Sequence, residues 1–445
     1  MLILSICCIL IGSTNAEPPS RKYSNVERLK LERLTAVHES VTAFKQKRRV
    51  IPPIKGFNDY KCIFHAHAED STHTGGTLPE MLQEAKKAGI HAIFLSDHFR
   101  PPRDFIDGRW RGMKDGVLFV PGSEARGFLL YPSKSILPRM DLKAAELVET
   151  VINTEDGLIF LSHIEERPEH SMAGLTGLEI YNRHWDAKRD MASLLSVALK
   201  LTDPQSLQEL EKALELYPDE LFAFQCDYPD VYLKKWDAET LSKRLTGVAA
   251  NDCHHNQIML VKILDEKTVL LGTNVDLDKD MRKISVELRP GLKSMMAGKK
   301  PGDIVAKIDL DPYHRSFKNS ATHILAPSLD ETTLRKALKA GHVYVSHDWM
   351  CDTTGFQFTL QNGKGEMQAI MGDETKYTPG KRLVAELPAQ ALVRIIRNGK
   401  ELQKVEGKVQ ISIPIDQPGV YRLEAWLKLD DEYRPWIYSN PIYVK

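Results

Sequence analysis

Two imidazoles spaced for a shared partner stand early in this sequence. The segment Cys62-Ile63-Phe64-His65-Ala66-His67 ends a short apolar run with His65 and His67 two residues apart. Residues i and i+2 of a strand share one face, so both rings can address one metal ion. His73 follows within Ser71-Thr72-His73. Further along come Leu95-Ser96-Asp97-His98, Val120-Pro121-Gly122-Ser123-Glu124, Leu161-Ser162-His163 and Glu179-Ile180-Tyr181-Asn182-Arg183-His184. The series closes on Asn251-Asp252-Cys253-His254, where an acid and an imidazole are again two apart. Each has an ordinary explanation taken singly: His98 as a helix cap, Glu124 as the partner of Arg126, His184 packed beside Trp185. Together they recur at the ends of successive apolar runs. Imidazoles and carboxylates are the ligands of zinc, manganese and iron. So many of them in one pocket would be costly without cations. The pattern therefore predicts a polynuclear site built from His65, His67, His73, His98, Glu124, His163, His184, Asp252 and His254.

Two ions bridged by a carboxylate and a water bring that water's pKa toward neutrality and stabilise charge on the substrate oxygens. The expected reaction is hydrolysis without a covalent protein intermediate, with Glu124 central and Asp252 or His254 protonating the leaving group. No Gly-x-Ser-x-Gly elbow supports a serine hydrolase. Cys253 lies between two ligand positions, and strand alternation turns it away. A phosphoester would call for cations at the rim, and Arg100, Arg126, Arg167 and Arg183 each follow a ligand closely enough to serve as substrate-binding groups. A carbamate, ester or amide would instead call for an apolar cleft, for which Trp110, Tyr181 and Trp185 are candidates. Asp348, Trp349 and Asp352 are candidates to approach the site mouth. A non-catalytic binding protein, with the scaffold gripping a glycan or partner, is the alternative of another class. It should have lost ligands, and none is missing.

Positioning these groups requires strands that end at one rim. The runs Lys61–His65, His91–Ser96, Val117–Pro121, Gly157–Ser162, Gly177–Tyr181 and Gly247–Ala250 alternate with helical stretches Leu78–Ala88, Asp141–Asn153, Arg189–Leu201 and Ser206–Tyr217. Such alternation predicts βαβ units and a parallel sheet. Polar residues past so many strand ends favour closure into a (β/α) barrel over an open sheet with one switch point. Residues 24–48 have helical spacing, with Ser24 or Asn25 as cap and Pro52-Pro53 beyond. After about residue 300 the texture changes, with short β-branched and aromatic segments at 356–360, 382–386, 391–397, 408–414, 419–427 and 435–444. The turn dipeptides Asn362-Gly363, Pro379-Gly380, Asn398-Gly399 and Pro418-Gly419 separate them, which predicts an antiparallel β-sandwich with its own core.

The ordered set His65-x-His67, Ser71-Thr72-His73, Ser96-Asp97-His98, Glu124, Ser162-His163 and Asp252-x-His254 resembles the PHP (polymerase and histidinol phosphatase) superfamily over about residues 60–255. Ser71-Thr72-His73 is similar to the trinuclear subgroup and replaces the Ser-Asp-Gly usual at that point. The resemblance implies a distorted (β/α)7 barrel holding two or three divalent ions. It also implies that His65, His67, Glu124 and Asp252 surround one ion. Glu124 would bridge to a second ion held by His163 and His184, and His73, His98 and His254 would hold a third. The stretch Gly341–Phe356 with Arg434-Pro435-Trp436-Ile437-Tyr438-Ser439-Asn440-Pro441 resembles the exported branch that includes carbamate hydrolases.

Composition fits this reading. The chain has 445 residues, 42 % hydrophobic and 27 % charged, which excludes collagen-like, disordered and membrane-embedded classes. Lys plus Arg and Asp plus Glu are equal at 60 each, so no basic excess points to nucleic acid. The expected partner is a small molecule. Residues 2–12 form an apolar run too short to span a bilayer. Small residues through Ala16 follow, although no Lys or Arg precedes the run. The pattern predicts a secretory signal at 1–16 and an exported, periplasmic or secreted chain with no transmembrane anchor once it is cleaved. A buried N-terminal element, or acylation at Cys7 or Cys8, are the alternatives. The remaining cysteines, Cys62, Cys226, Cys253 and Cys351, are too few for a disulfide framework. The expected organisation is a helical segment at 17–54, the hydrolase unit at 55–345 with a connecting insertion at 265–320, and the sandwich at 346–445.

Overall fold

The structure, a computed structural model, describes residues 17–445, so the expected signal at 1–16 lies outside the described residues. Ser24 caps a short helix, Asn25–Arg28, through a reciprocal box with Glu27, and a second helix spans Leu31–Gln46. The single helix expected over 24–48 is thus broken at Leu29-Lys30. Helix Leu78–Ala88 follows its sequence signals closely. Thr77 and Glu80 form its capping box, Gly89 closes it at φ 70°, and Leu78, Met81, Leu82 and Ala85 face inward at the i, i+3, i+4, i+7 spacing of one helical face.

All six apolar runs are strands. Asn58–Ala66 pairs in parallel with Ala92–Leu95, which pairs in parallel with Val117–Val120. Past their ends the chain continues as Asp97–His98 and Ser123–Ala125, which pair in a second sheet with His98 opposite Glu124. That sheet runs on through Phe128–Tyr131, Leu158–Leu161, Gly177–Asn182 and Thr246–Ala250. Its last strand returns to the first sheet, where Ala66 bridges Cys253, Asn251 N–H donates to Phe64 O at 3.1 Å, and His67 N–H donates to Cys253 O at 3.0 Å. Strand Phe128–Tyr131 breaks the expected β/α alternation, since it is antiparallel to both neighbours. The cause is local. Arg126 (φ 53°) and Gly127 (φ 84°) form a two-residue hairpin loop directly after Ala125, so no helix intervenes.

Two further findings concern the C-terminal half. The connecting insertion contains a four-stranded antiparallel sheet of Ile258–Asp265, Thr268–Thr273, Arg282–Ser285 and Ile304–Asp309. Val261, Val269, Leu271 and Ile308 pack it against Val197, Leu201 and Leu210 of the helical stretch. The segments past 346 are antiparallel strands, but they do not stand apart. Ala321–Ala326 pairs with Asn58–Ala66, Val343–Ser346 pairs with Ala321–Ala326, and Glu432–Ser439 pairs with Val343–Ser346. The C-terminal strands therefore extend one 14-stranded mixed sheet that includes the strand carrying His65. One hydrophobic cluster likewise runs from Phe128, Leu130 and Leu178 to Leu383, Val393 and Trp436, in place of the separate core expected from turn spacing. The segments at 382–386 and 391–397 are one bulged strand, Arg382–Arg397, paired with Lys400–Pro414 across Asn398-Gly399.

Candidate metal centre

Each sequence-expected ligand sits at or just past a strand end, and backbone geometry aims several of them. His65, His163 and Asp252 adopt φ of 56°, 48° and 47°, the left-handed region that non-glycine residues avoid. Each such residue costs about 1–3 kcal/mol, and such strain gathers at functional sites. At His65 the pairing register with Ala92–Leu95 also slips between Phe64 and Ala66. His65 and His67 are therefore not simple strand neighbours. Their rings lie 5.2 Å apart, tilted by 54°.

The donor atoms converge. Nε2 of His65 lies 3.5 Å from Glu124 Oε2 and 3.4 Å from Asp252 Oδ1, and Nε2 of His67 lies 3.9 and 3.8 Å from the same oxygens. Nε2 of His98 is 3.6 Å from Glu124 Oε2. Nε2 of His163 is 3.1 Å from Glu124 Oε1 and 3.6 Å from Asp252 Oδ2. Donors spaced at about 3.4 Å are what a tetrahedral ion with about 2.1 Å bonds requires. Three trios of donor atoms lie within 4.8 Å of one another: His65, Glu124, His163; His65, His67, Asp252; and His67, His98, His254. The third differs from the expected trio. His73 is outside it and instead places Nε2 3.2 Å from His98 Nε2. His184 is at the periphery, half exposed, with Nδ1 3.8 Å from Asp252 Oδ2.

Behind the converging groups lies a set of carboxylates that sequence reasoning did not assign. Glu179 Oε1 meets His65 Nδ1 at 2.6 Å, Asp70 Oδ2 meets His67 Nδ1 at 2.8 Å, and Glu165 Oε1 meets His163 Nδ1 at 3.2 Å. Glu179 and Asp70 side chains are fully buried. A charge in the middle of the apolar run Gly177–Asn182 was the one available signal for Glu179.

Electrostatics follows this arrangement. Burial alone would lower the His65 pKa, but Asp252, Glu124 and Glu179 outweigh it and raise it well above the ordinary value. Burial opposes ionisation of Glu124 and Asp252, yet His65 and the neighbouring imidazoles hold both carboxyls far below their usual range. His163, although buried, is raised to about 10 by hydrogen bonds to Glu124 and Glu165. His254 is lowered to about 3 by burial and by the nearby His67. Nε2 of His65 and Nε2 of His254 are buried without any hydrogen-bond partner. Buried polar atoms are nearly always partnered, and these two aim at facing ligand atoms. The residues present fit a group of divalent cations.

The other expected groups divide. Arg126 donates to Met140 O at 3.2 Å, Arg167 to His163 O at 3.5 Å, and the Arg183 guanidinium lies over the Phe222 ring at 4.0 Å. Arg100 is exposed and near enough to His73 to help lower that ring's pKa, after burial. The aromatics expected in an apolar cleft pack elsewhere. Trp110 sits edge-on to Phe119, Tyr181 is in the main core, and Trp185 packs against that core. Cys253 turns away into the cluster with Ile63 and Tyr313, as alternation requires. Asp348 lies at the other end of strand Asn58–Ala66, bound to Lys61 at 2.9 Å and His323 at 3.1 Å, and Asp352 also meets Lys61 there. A fourth trio, His255, Asp309 and Asp311, has another role. His255 is hydrogen-bonded to Asp309 at 3.0 Å and forms an ion pair with Glu80 at 2.6 Å, and these raise it to about 9 against burial. It ties the four-stranded insertion to helix Leu78–Ala88.

No protein-family model matches this chain, and no curated protein matches it. Among solved structures, the chain is similar to a two-domain protein from Bacteroides vulgatus described as containing a predicted PHP-like metal-dependent phosphoesterase. The identity is 12 % and the TM-score 0.34, and the match covers 88 % of this chain and 98 % of that one.

Proposed function

We propose that this chain is a metal-dependent hydrolase of PHP type, acting on a small phosphorylated substrate. The observation that carries the reading is the convergence of two ionised carboxylates, Glu124 and Asp252, with imidazole Nε2 atoms, two of which are buried without a hydrogen-bond partner. In this reading His65, His67, His98, Glu124, His163, Asp252 and His254 hold two or three zinc, manganese or iron ions, with His73 and His184 at the edges. The strand pairing is read as a distorted (β/α)7 barrel whose alternation fails at Phe128–Tyr131, and residues 1–16 as an export signal. Divalent ions bound here would supply an acidified water and neutralise developing negative charge.

The chain's own residues do the rest. Glu124 touches His163 with one oxygen and His65, His67 and His98 with the other, so it spans the pocket. Glu179 and Glu165 hold the His65 and His163 rings from behind. Asp252 Oδ2 faces the half-exposed His184, the side on which a leaving group reaches solvent. Asp252 is held ionised and His254 without its second proton, so neither carries the proton to the leaving group as the sequence suggested, and the leaving group takes it from solvent at that face.

Arg100 is left to hold an anionic substrate group, because Arg126, Arg167 and Arg183 are engaged elsewhere. Replacing it with Ala should raise KM about tenfold with kcat little changed, the pattern of lost uniform binding to a charge-assisted partner. Steady-state kinetics on the best phosphoester checks this, and an unchanged KM removes Arg100 from the substrate site.

The reading as a whole is tested by elemental analysis of purified protein, followed by a panel of phosphoesters, carboxylic esters, amides and carbamates. Bound divalent metal with phosphoester cleavage is the expected result. Cleavage of carbamates or esters alone keeps the metal centre and overturns the substrate class. Absence of both metal and hydrolysis leaves a binding protein.

A further inference from the structure

We propose that Asp70 is a positioning residue that sets two imidazoles of the centre, His67 and His98, at once, so that its loss empties one part of the centre and spares another. This rests on the metal-centre reading above. Asp70 Oδ2 lies 2.8 Å from His67 Nδ1 and 2.7 Å from His98 Nδ1, and it accepts the His98 backbone N–H at 2.9 Å. Its other oxygen accepts the Thr74 hydroxyl. An ionised carboxylate only accepts, so each ring facing it carries its hydrogen on Nδ1 and leaves the Nε2 lone pair free. Those Nε2 atoms converge with that of His254. The His67 ring stacks on His98 at 4.2 Å and on His254 at 4.1 Å.

The acceptor is itself fixed. Arg103 donates to the carbonyls of Glu69 (3.0 Å) and Asp70 (3.2 Å), and Arg109 to that of Ala68 (2.8 Å). Both arginines pair with buried Asp97, at 3.3 and 2.6 Å. The loop between His67 and His73 is thus clamped with its carboxylate between two rings. The His65, Glu124, His163 trio is supported separately, by Glu179 and Glu165. Two independent supports predict that the two parts of the centre can be weakened one at a time. Carboxylates behind ligating imidazoles typically govern about 10- to 100-fold in metal affinity.

The experiment loads wild type, Asp70→Ala, Asp70→Asn and Glu165→Gln with Zn²⁺. It measures bound zinc per chain and its affinity, then records the Co²⁺ absorption spectrum of each protein. Asp70→Ala should bind about one equivalent less than wild type. Asp70→Asn keeps an acceptor oxygen for both rings without the charge, so it should retain that equivalent about 10-fold more weakly. Glu165→Gln should weaken a different equivalent, with different Co²⁺ bands changed. Wild-type stoichiometry and affinity in both Asp70 variants overturns the proposal, as does the same Co²⁺ bands changing in the Asp70 and Glu165 variants. If Asp70→Ala fails to fold by circular dichroism, Asp70→Asn decides, and wild-type affinity there overturns the proposal. A wild-type chain that binds no zinc or cobalt overturns the metal-centre reading itself.

Discussion

Exchanging Glu124 for Gln should lower turnover by about a thousandfold or more while leaving the fold intact. The magnitude follows from what the side chain touches. One oxygen lies 3.1 Å from His163 Nε2, and the other lies 3.5, 3.9 and 3.6 Å from Nε2 of His65, His67 and His98. Asp252 shares His65, His67 and His163 with it, but Glu124 is the carboxylate that also reaches His98. An amide keeps the size but replaces one of the two acceptor oxygens with a donor, whichever way it turns, and it removes the charge. Loss of a single preorganised electrostatic contact costs about 10²–10³ in rate, and here generation of the nucleophile and stabilisation of charge are both affected. The fold should persist because Glu124 is on a three-residue strand, Ser123–Ala125, whose backbone pairing with Asp97–His98 and Phe128–Tyr131 does not use the Glu124 side chain. The measurement is activity and metal content beside wild type, with circular dichroism as the folding control. Full activity at normal metal loading would falsify the role given to Glu124.

How much of this was legible in the sequence depends on whether a signal was local. Helix Leu78–Ala88 was readable to the residue because its cap, its apolar face and its terminating glycine are all short-range features. The histidines and acids of the centre were readable because ligand types recur where apolar runs stop. Asp70 was not, since an acid in a polar loop between two histidines is indistinguishable from a solvated one until the rings are placed on either side of it. The resemblance supplied a division of the ligands among ions, but the exchange of His73 for His67 in the third trio was hidden. The observed trios depend on the left-handed turns at His65, His163 and Asp252, which no propensity encodes for those residue types.

Tertiary pairing was less legible still. Alternation announced strands beyond residue 346, but not that Val343–Ser346 is hydrogen-bonded on both edges. Backbone pairing carries no residue label, so a linker and a bridging strand read alike. In the insertion, exposed Lys267 and Lys283 flank the inward-facing Val269 and the half-buried Ile284, so charge interrupts the apolar pattern from which its strands would be read. The hairpin at Arg126-Gly127 had a better signal. A bulkier residue at Gly127 would meet both the positive φ and the Arg167 side chain, whose Nε would lie 2.3 Å from an added Cβ.

The joining of the C-terminal strands to the rest of the chain leads to a second large effect, on stability. Glu424, on strand Gly419–Leu429, is fully buried between two guanidiniums. It meets Arg394 at 2.6 Å and Arg422 at 2.7 Å, and accepts from the Tyr228 hydroxyl at 2.9 Å. Arg422 in turn reaches Asp237 on helix Asp230–Thr240, beside the strand Gly177–Asn182 that bears Glu179. Glu424 is therefore the carboxylate common to two buried cations, which Asp237 and Glu401 meet one each, where the C-terminal strands meet the helices outside the site. Replacing Glu424 with Gln conserves volume and leaves those cations facing a neutral amide. Breaking a buried charge pair in this way costs about 3–5 kcal/mol. Burial opposes ionisation of Glu424, but Arg422 and Arg394 outweigh it and hold the carboxyl below its ordinary value. A carboxyl lowered on folding adds stability above its unfolded pKa and loses it as the pH falls toward the folded one. The gap between wild type and Glu424→Gln should therefore be full at neutral pH and narrow below about pH 4. Urea unfolding across that range measures it, through the midpoint at constant slope. A variant as stable as wild type at pH 7 would mean that the two guanidiniums are compensated without Glu424, Asp237 and Glu401 among their partners, and that the junction does not depend on it.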